Sequence, residues 1–268
     1  MRENNILFIG AGKMATAIAG GMVASDFSTG QIQAFDISKE AAETFTLKTG
    51  AKTECCNIKP MLKAADTVII AVKPQHLAHV FKASGLSLKG KLAISIAAGV
   101  KIEHLVELTG TSKIVRVMPN TPATVNAGAS AYSMSDAVSE ADEDLVTAIL
   151  GSIGIYTKIP ENLMDAVTGV SGSGPAYVFD FIQAMADGGV NAGLPRDAAM
   201  KLAAQTVMGA AKLMLKSGEH PAVLRDQVTS PGGTTTKALA VLESNSFKGI
   251  VIEAVLASVE HSIELGNK

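Results

Sequence analysis

The spacing of apolar and polar positions divides the chain into two unlike halves. Before residue 160, short apolar runs alternate with amphipathic stretches. "ILFIG" (Ile6–Gly10), "IQAF" (Ile32–Phe35), "TVIIAV" (Thr67–Val72), "LAISIA" (Leu92–Ala97) and "KIVRV" (Lys113–Val117) read as strands. "ASAYSM" (Ala129–Met134) and "GIYTKI" (Gly154–Ile159) are weaker strand candidates. Several are apolar on both faces, as parallel strands covered by helices must be. Helical spacing lies between them, near Met14–Ala24, Ser38–Thr49, Pro74–Phe81, Ile102–Leu108 and Ser139–Leu150, with Pro74 placed as a first helical residue. This alternation predicts an α/β fold: an N-terminal Rossmann-like doubly wound sheet over residues 1–160.

From residue 161 to 268 the period changes, and no strand pattern stands out. Segments rich in Ala, Met, Leu and Gly run over Pro175–Val190, Pro195–Lys216, Thr235–Leu242 and Phe247–Leu265, with Gly193 and Gly218 as helix stops. Small residues cover more than one face of the second of these helices, which marks it as buried. An all-helical unit of about a hundred residues has limited core of its own, so burial against a second copy of the chain is expected.

Composition narrows the class. Hydrophobic residues make up 47% of 268 and charged residues 18%, enough for a sizeable core. The net charge is −2 with no basic block, which argues against a nucleic-acid partner. No apolar run reaches membrane-spanning length, and the first residues do not read as a signal peptide, so a soluble cytoplasmic protein without membrane partners is expected. Cys55 and Cys56 are adjacent and read as two reduced thiols without a role in turnover. His76 and His79 form H-x-x-H without a second ligand cluster, so no metal is expected.

Two segments carry chemistry. Gly10-x-Gly12-x-x-Ala15 follows the first strand and opens a helix, where Gly10 permits a tight turn and Gly12 lets backbone approach a pyrophosphate. Ala11, Lys13 and Met14 belong to the same dinucleotide turn. Asp36 ends the second strand, where an acid binds ribose hydroxyls and repels the 2′-phosphate of NADP; Ser38 and Lys39 could offset that repulsion, although Ser38 also suits a plain helix cap. Ala71, Val72, Lys73 and Pro74 after one strand, and Ala97, Ala98 and Gly99 after another, are placed to flank the cofactor at the carboxyl edge of the sheet. The second segment, "QVTSPGGTTTKAL" (Gln227–Leu239), is polar and backbone-permissive yet runs straight into an apolar helical pattern.

Together "FIGAGKMA", "AVKPQ", "RVMPNTP", "DAVTGVSGSGPAY", "ADGGVNAGLPRDAA" and "LRDQVTSPGGTTTKALAVLE" resemble pyrroline-5-carboxylate reductases over nearly the whole chain. The resemblance implies a Rossmann domain followed by a helical substrate-binding domain that dimerises by interleaving, with rings of dimers in some members. It implies NADPH, with NADH as the alternative that Asp36 favours, and hydride transfer to the cyclic imine 1-pyrroline-5-carboxylate to give L-proline. On this reading Ser230, Gly232, Gly233 and Thr234 bind the substrate carboxylate, and the Thr235 hydroxyl bonds the imine nitrogen as the catalytic contact. Glu161 stands where the family has a residue close to bound proline, Asn57 lies toward the adenosine, and Asn120 and Thr121 border the nicotinamide. Gln227 departs from an asparagine expected in some relatives. The related β-hydroxyacid dehydrogenases carry a lysine where Val178 follows Gly172-x-Gly174, and alcohol oxidation needs that base while imine reduction does not. A six-membered imine substrate and a non-catalytic dinucleotide sensor are the remaining alternatives.

Overall fold

In the computed structural model, which describes residues 4–266, the first half builds one eight-stranded sheet. Its strands are β1 (Ile6–Ile9), β2 (Ile32–Phe35), β3 (Lys52–Glu54), β4 (Thr67–Ile70), β5 (Leu92–Ser95), β6 (Ile114–Met118), β7 (Gly128–Met134) and β8 (Gly154–Lys158). They lie in the order β3-β2-β1-β4-β5-β6-β7-β8. All neighbours are parallel except β6 and β7, which pair antiparallel with Val115 opposite Met134. The first six strands follow the dinucleotide-binding order, with the reversal between β1 and β4.

Helices α1 (Lys13–Ala24), α2 (Lys39–Thr49), α3 (Lys59–Ala64), α4 (Ile102–Thr109) and α5 (Glu140–Gly151) connect these strands. Successive residues of β1 feed opposite faces: Ile6 and Phe8 join the core with Ile18 and Phe45, while Leu7 and Ile9 join the one with Phe81 and Leu105. Every residue of β1, β4 and β5 is therefore buried.

Some expectations are corrected. The helix expected over Pro74–Phe81 is instead a 3₁₀ turn (Pro74–His76) followed by a π turn (His79–Ala83). β3, α3, α6 (Met164–Val167) and α9 (Pro221–Gln227) are additional elements.

Among the described residues no strand follows β8. The second half holds α6, α7 (Gly174–Asn191), α8 (Arg196–Ser217), α9, α10 (Thr234–Ser244) and α11 (Phe247–Gly266). The chain forms two compact units: one runs to Ser173 and resumes at Ser258, the other is Gly174–Ala257. In the first unit the end of α11 is tied down by Ser262 Oγ donating to Asp165 Oδ1 at 2.7 Å. In the second, α7 and α8 pack through a small core of Ala186, Ala199 and Ala203. Large apolar side chains there stay exposed, including Phe179 (64%), Leu215 (64%), Ile252 (59%) and Leu256 (59%).

Candidate active site

The glycine turn is built as its sequence requires. Gly10 has φ +102°, and its N–H donates to the Phe35 carbonyl at 2.8 Å. A Cβ at Gly10 would lie 2.8 Å from the Ala71 carbonyl oxygen, so this position brings the ends of β1 and β4 together only as glycine. A Cβ at Gly12 would meet nothing within 4 Å, so its backbone faces open space. Gly12 is also the N-cap of α1, with no side chain bonded to the helix's leading N–H groups. Free N–H groups, a helix dipole and open space in front of them fit a pyrophosphate.

A cavity of about 700 Å³ opens beside this turn, lined among others by Gly12, Lys13, Ser38, Lys48, Thr124 and Asn126. Thr124 and Asn126 come from the segment between β6 and β7, more than a hundred residues from the glycine turn, and carry no local signal that would have placed them here. Two cations, Lys13 and Lys48, stand against one acid, Glu40, on the cavity wall. Ser38 caps α2, its Oγ accepting the Ala41 N–H at 3.3 Å, and Lys39 pairs with Glu43 at 3.7 Å.

Asp36 is tied into the same loops. Its Oδ2 accepts the Ala11 N–H at 2.7 Å and its Oδ1 accepts the Ser38 N–H at 2.8 Å. The carboxylate thus braces the glycine turn against the start of α2. Further along the carboxyl edge, Ala71 and Val72 are half-buried, Lys73 and Pro74 are exposed, Ala97 is buried, Ala98 is exposed and Gly99 turns with φ +76°. Met14 is half-buried in the first turn of α1. Asn57 is exposed and its Oδ1 accepts the Lys59 N–H at 3.1 Å, at the opening of α3.

Asn120 is buried with its amide fully engaged: Nδ2 donates to the Ser171 carbonyl at 3.1 Å and Oδ1 accepts the Ala129 N–H at 2.9 Å. Thr121 opens the 3₁₀ turn that follows. Glu161 Oε1 accepts the Ile102 N–H at 2.7 Å and pairs with the buried Arg116 at 3.2 Å. It therefore caps α4, just beyond the Ala97–Gly99 loop, while neutralising a cation inside the sheet. Arg116 was not singled out from the sequence because it sits in an otherwise apolar strand pattern.

In the second unit, the polar stretch forms the entry to α10. Gly232 has φ +71°, the Gly233 N–H closes a turn onto the Ser230 carbonyl at 3.0 Å, and Gly233 is the N-cap. Gly233 has no side chain to cap this helix, and among the described residues neither Ser230 nor Thr234 caps it. Thr236 Oγ1 donates to the Gly233 carbonyl at 2.6 Å. Among the described residues the Thr235 hydroxyl has no hydrogen-bond partner, although the residue is half-buried. The leading N–H groups of α10 and a free hydroxyl at its second position can together hold an anion and one further polar atom. Nearby, Gln227 Nε2 donates to Glu219 Oε2 at 2.9 Å.

Comparison with known proteins joins these features. Residues 161–265 match the model for pyrroline-5-carboxylate reductase dimerisation, and residues 5–99 match the model for NADP oxidoreductase, coenzyme F420-dependent. A pyrroline-5-carboxylate reductase of Arabidopsis thaliana is 44% identical, covering 96% of this chain and 94% of its own. One from Escherichia coli is 43% identical over 98% of each chain. The structure of a pyrroline-5-carboxylate reductase from Coxiella burnetii superposes with a TM-score of 0.91 at 34% identity, covering 98% of this chain and 99% of that one. That of the Plasmodium falciparum enzyme, which has NADP bound, superposes with a TM-score of 0.85 at 34% identity over 99% of each chain. A sheet in dinucleotide-binding order, a helical half matched to a dimerisation module and full-length likeness to enzymes of one kind together make this chain a member of the pyrroline-5-carboxylate reductase family.

Proposed function

We propose that this protein reduces 1-pyrroline-5-carboxylate to L-proline with NADPH, the last step of proline formation. The observation that carries the reading is the uncapped entry to α10, with its free Thr235 hydroxyl, in a chain alike over its full length to enzymes of that name. NADP in the Plasmodium relative and the NADP-oxidoreductase match over residues 5–99 support the cofactor.

The nicotinamide, when bound, supplies the hydride. The chain's own residues do the rest. Gly12, Lys13 and Met14 offer the pyrophosphate backbone N–H groups and the α1 dipole, while Gly10 and Ala11, whose N–H groups bond Phe35 and Asp36, shape the turn. Asp36 braces that turn, and Ser38 with the cavity lysines offsets its charge toward a 2′-phosphate. Asn57 lies toward the adenosine. Ala71, Val72, Lys73, Pro74, Ala97, Ala98, Gly99 and Asn120 shape the remaining wall, with Asn120 acting through the backbone it fixes. Ser230, Gly232, Gly233 and Thr234 cradle the substrate carboxylate, and Thr235 aims at the imine nitrogen. A threonine hydroxyl is too weak an acid to serve as proton source, so its role is orientation and charge stabilisation. Val178 offers no base for alcohol oxidation, which favours imine chemistry. Glu161 keeps the substrate-side loop in place through α4.

We place the functional division at residues 160/161. The helical half supports a homodimer, with rings of dimers as the further assembly, and the enzyme is assigned to the cytoplasm. Among the described residues no helix is long and apolar enough to cross a membrane. The test is loss of NADPH absorbance with the racemic five-membered imine acid. Turnover with proline as product is expected; cofactor binding without turnover would replace the reading with a dinucleotide sensor.

A further inference from the structure

At the end of β3, on the edge of the sheet, lies a cluster that the reaction does not use. The Cys55 and Cys56 sulfurs are 3.9 Å apart. Glu54 Oε1 accepts the N–H groups of both Cys55 and Cys56, each at 2.9 Å, which holds the carboxylate beside the two residues. One carboxylate oxygen and both sulfurs lie within 4.8 Å of one another. Cys55 is half-buried and Cys56 exposed, so the cluster is open to solvent.

We propose that Glu54, Cys55 and Cys56 form a binding site for one soft divalent cation of the zinc and cadmium class. The sulfur separation is the main argument. Two thiolates at about 2.3 Å from a tetrahedral zinc stand roughly 3.8 Å apart, which is the spacing already present. The sulfurs stand well beyond the roughly 2.0 Å of a disulfide, so both thiols are free to bind an ion. Two thiolates and one carboxylate select soft cations over magnesium or calcium, which demand oxygen ligands. The fourth position falls to water because the cluster faces solvent.

Binding replaces two S–H bonds with two metal–sulfur bonds and releases two protons to solvent, with no change of oxidation state. Lys39 and Lys52 are the positive groups that the incoming cation must tolerate, and their reach is blunted by exposure to water.

The site also sits beside the proposed cofactor groove. The Asp36 N–H donates to the Glu54 carbonyl at 3.2 Å, so the cluster continues the strand end that braces the glycine turn. The assignment of a cation site does not depend on that neighbour or on the proposed reaction.

The test uses full-length, tag-free, reduced and chelator-treated protein, titrated with cadmium and separately with zinc. The wild type is expected to take up one cadmium per chain, to develop the thiolate-to-cadmium charge-transfer band in the ultraviolet and to release two protons per ion. The double variant Cys55→Ser/Cys56→Ser should lose the band and at least tenfold in affinity while keeping its melting temperature and metal-free turnover. Glu54→Gln should keep the band and bind more weakly. Absence of the band in folded wild type, an unchanged titration in the double variant, or one ion per two chains would each overturn the proposal.

Discussion

At the scale of single residues, Thr235 and Asp36 decide the most. Thr235 occupies the second position of α10, and among the described residues its hydroxyl has no partner, so its replacement removes no helix cap. Removing one preorganised donor at a point of developing charge typically costs about 2.7–4 kcal/mol, or roughly 10²–10³ in kcat. Thr235→Ala is expected to lower kcat on that scale with little change in cofactor affinity or melting temperature, and Thr235→Ser to restore much of it. A fall in melting temperature with normal kcat would make the residue structural. Asp36 has two duties that separate under mutation. Its carboxylate accepts two backbone N–H bonds, and it stands where a 2′-phosphate would be repelled. Asp36→Ser is therefore expected to raise the ratio of kcat/KM for NADPH over NADH while weakening binding of both cofactors. An unchanged ratio would mean that the carboxylate acts only as a brace.

Elements show what the sequence could and could not reveal. Strands with long apolar runs and helices with caps were legible because burial on both faces and 3.6-residue spacing leave strong marks. β3 is the three residues Lys-Thr-Glu at a sheet edge, held by pairing to β2 rather than by any pattern of its own. The segment after Pro74 has helical composition but folds as a 3₁₀ turn and a π turn rather than one α-helix. The candidate site was legible where one turn contains it, as at Gly10–Met14 and Ser230–Thr235. Thr124, Asn126 and Arg116 enter only through the topology. Glycines at one element then make a paired test. Gly10→Ala places a methyl against the Ala71 backbone at a positive φ, and a cost of about 1–3 kcal/mol is expected in thermal unfolding. Gly12→Ala meets open space and should leave stability alone while weakening cofactor binding, read by titration of protein fluorescence or calorimetry.

The start of α5 holds one carboxyl whose folded environment makes it sensitive to acid. Burial acts to raise the Asp142 carboxyl, but Lys113 at 2.8 Å and the Ser139 side chain and N–H outweigh it, and the group is held below its usual value. A carboxyl depressed in the folded state stabilises fully above its unfolded pKa of about 3.9, and the contribution is lost as pH falls through the lower folded value. Asp142→Asn is expected to lower the melting temperature at neutral pH and to flatten its decline below about pH 4. Parallel acid limbs in variant and wild type would show that other carboxylates govern this region.

For the whole molecule, the question is what covers the helical unit. Its interior holds three alanines, whereas Phe179, Leu202, Leu215, Ile252 and Leu256 are more than half exposed in a single chain. So many large apolar side chains on a unit spanning Gly174–Ala257 exceed what a monomer surface tolerates, and residues 161–265 match a dimerisation module. Exposed faces of this kind close most simply by two-fold pairing, where each apolar patch meets its own copy. Sedimentation at assay concentration is expected to show dimers or multiples of dimers, and dilution should cost stability and activity together. Ile252→Asp puts a charge on this exposed apolar face and is expected to weaken association by at least about 2 kcal/mol, roughly thirtyfold in dissociation constant. If the variant sediments as a folded monomer without turnover, assembly and activity are coupled in this enzyme. A wild-type chain that remains a stable, active monomer would remove the dimer from the account and leave its apolar helices without an explanation.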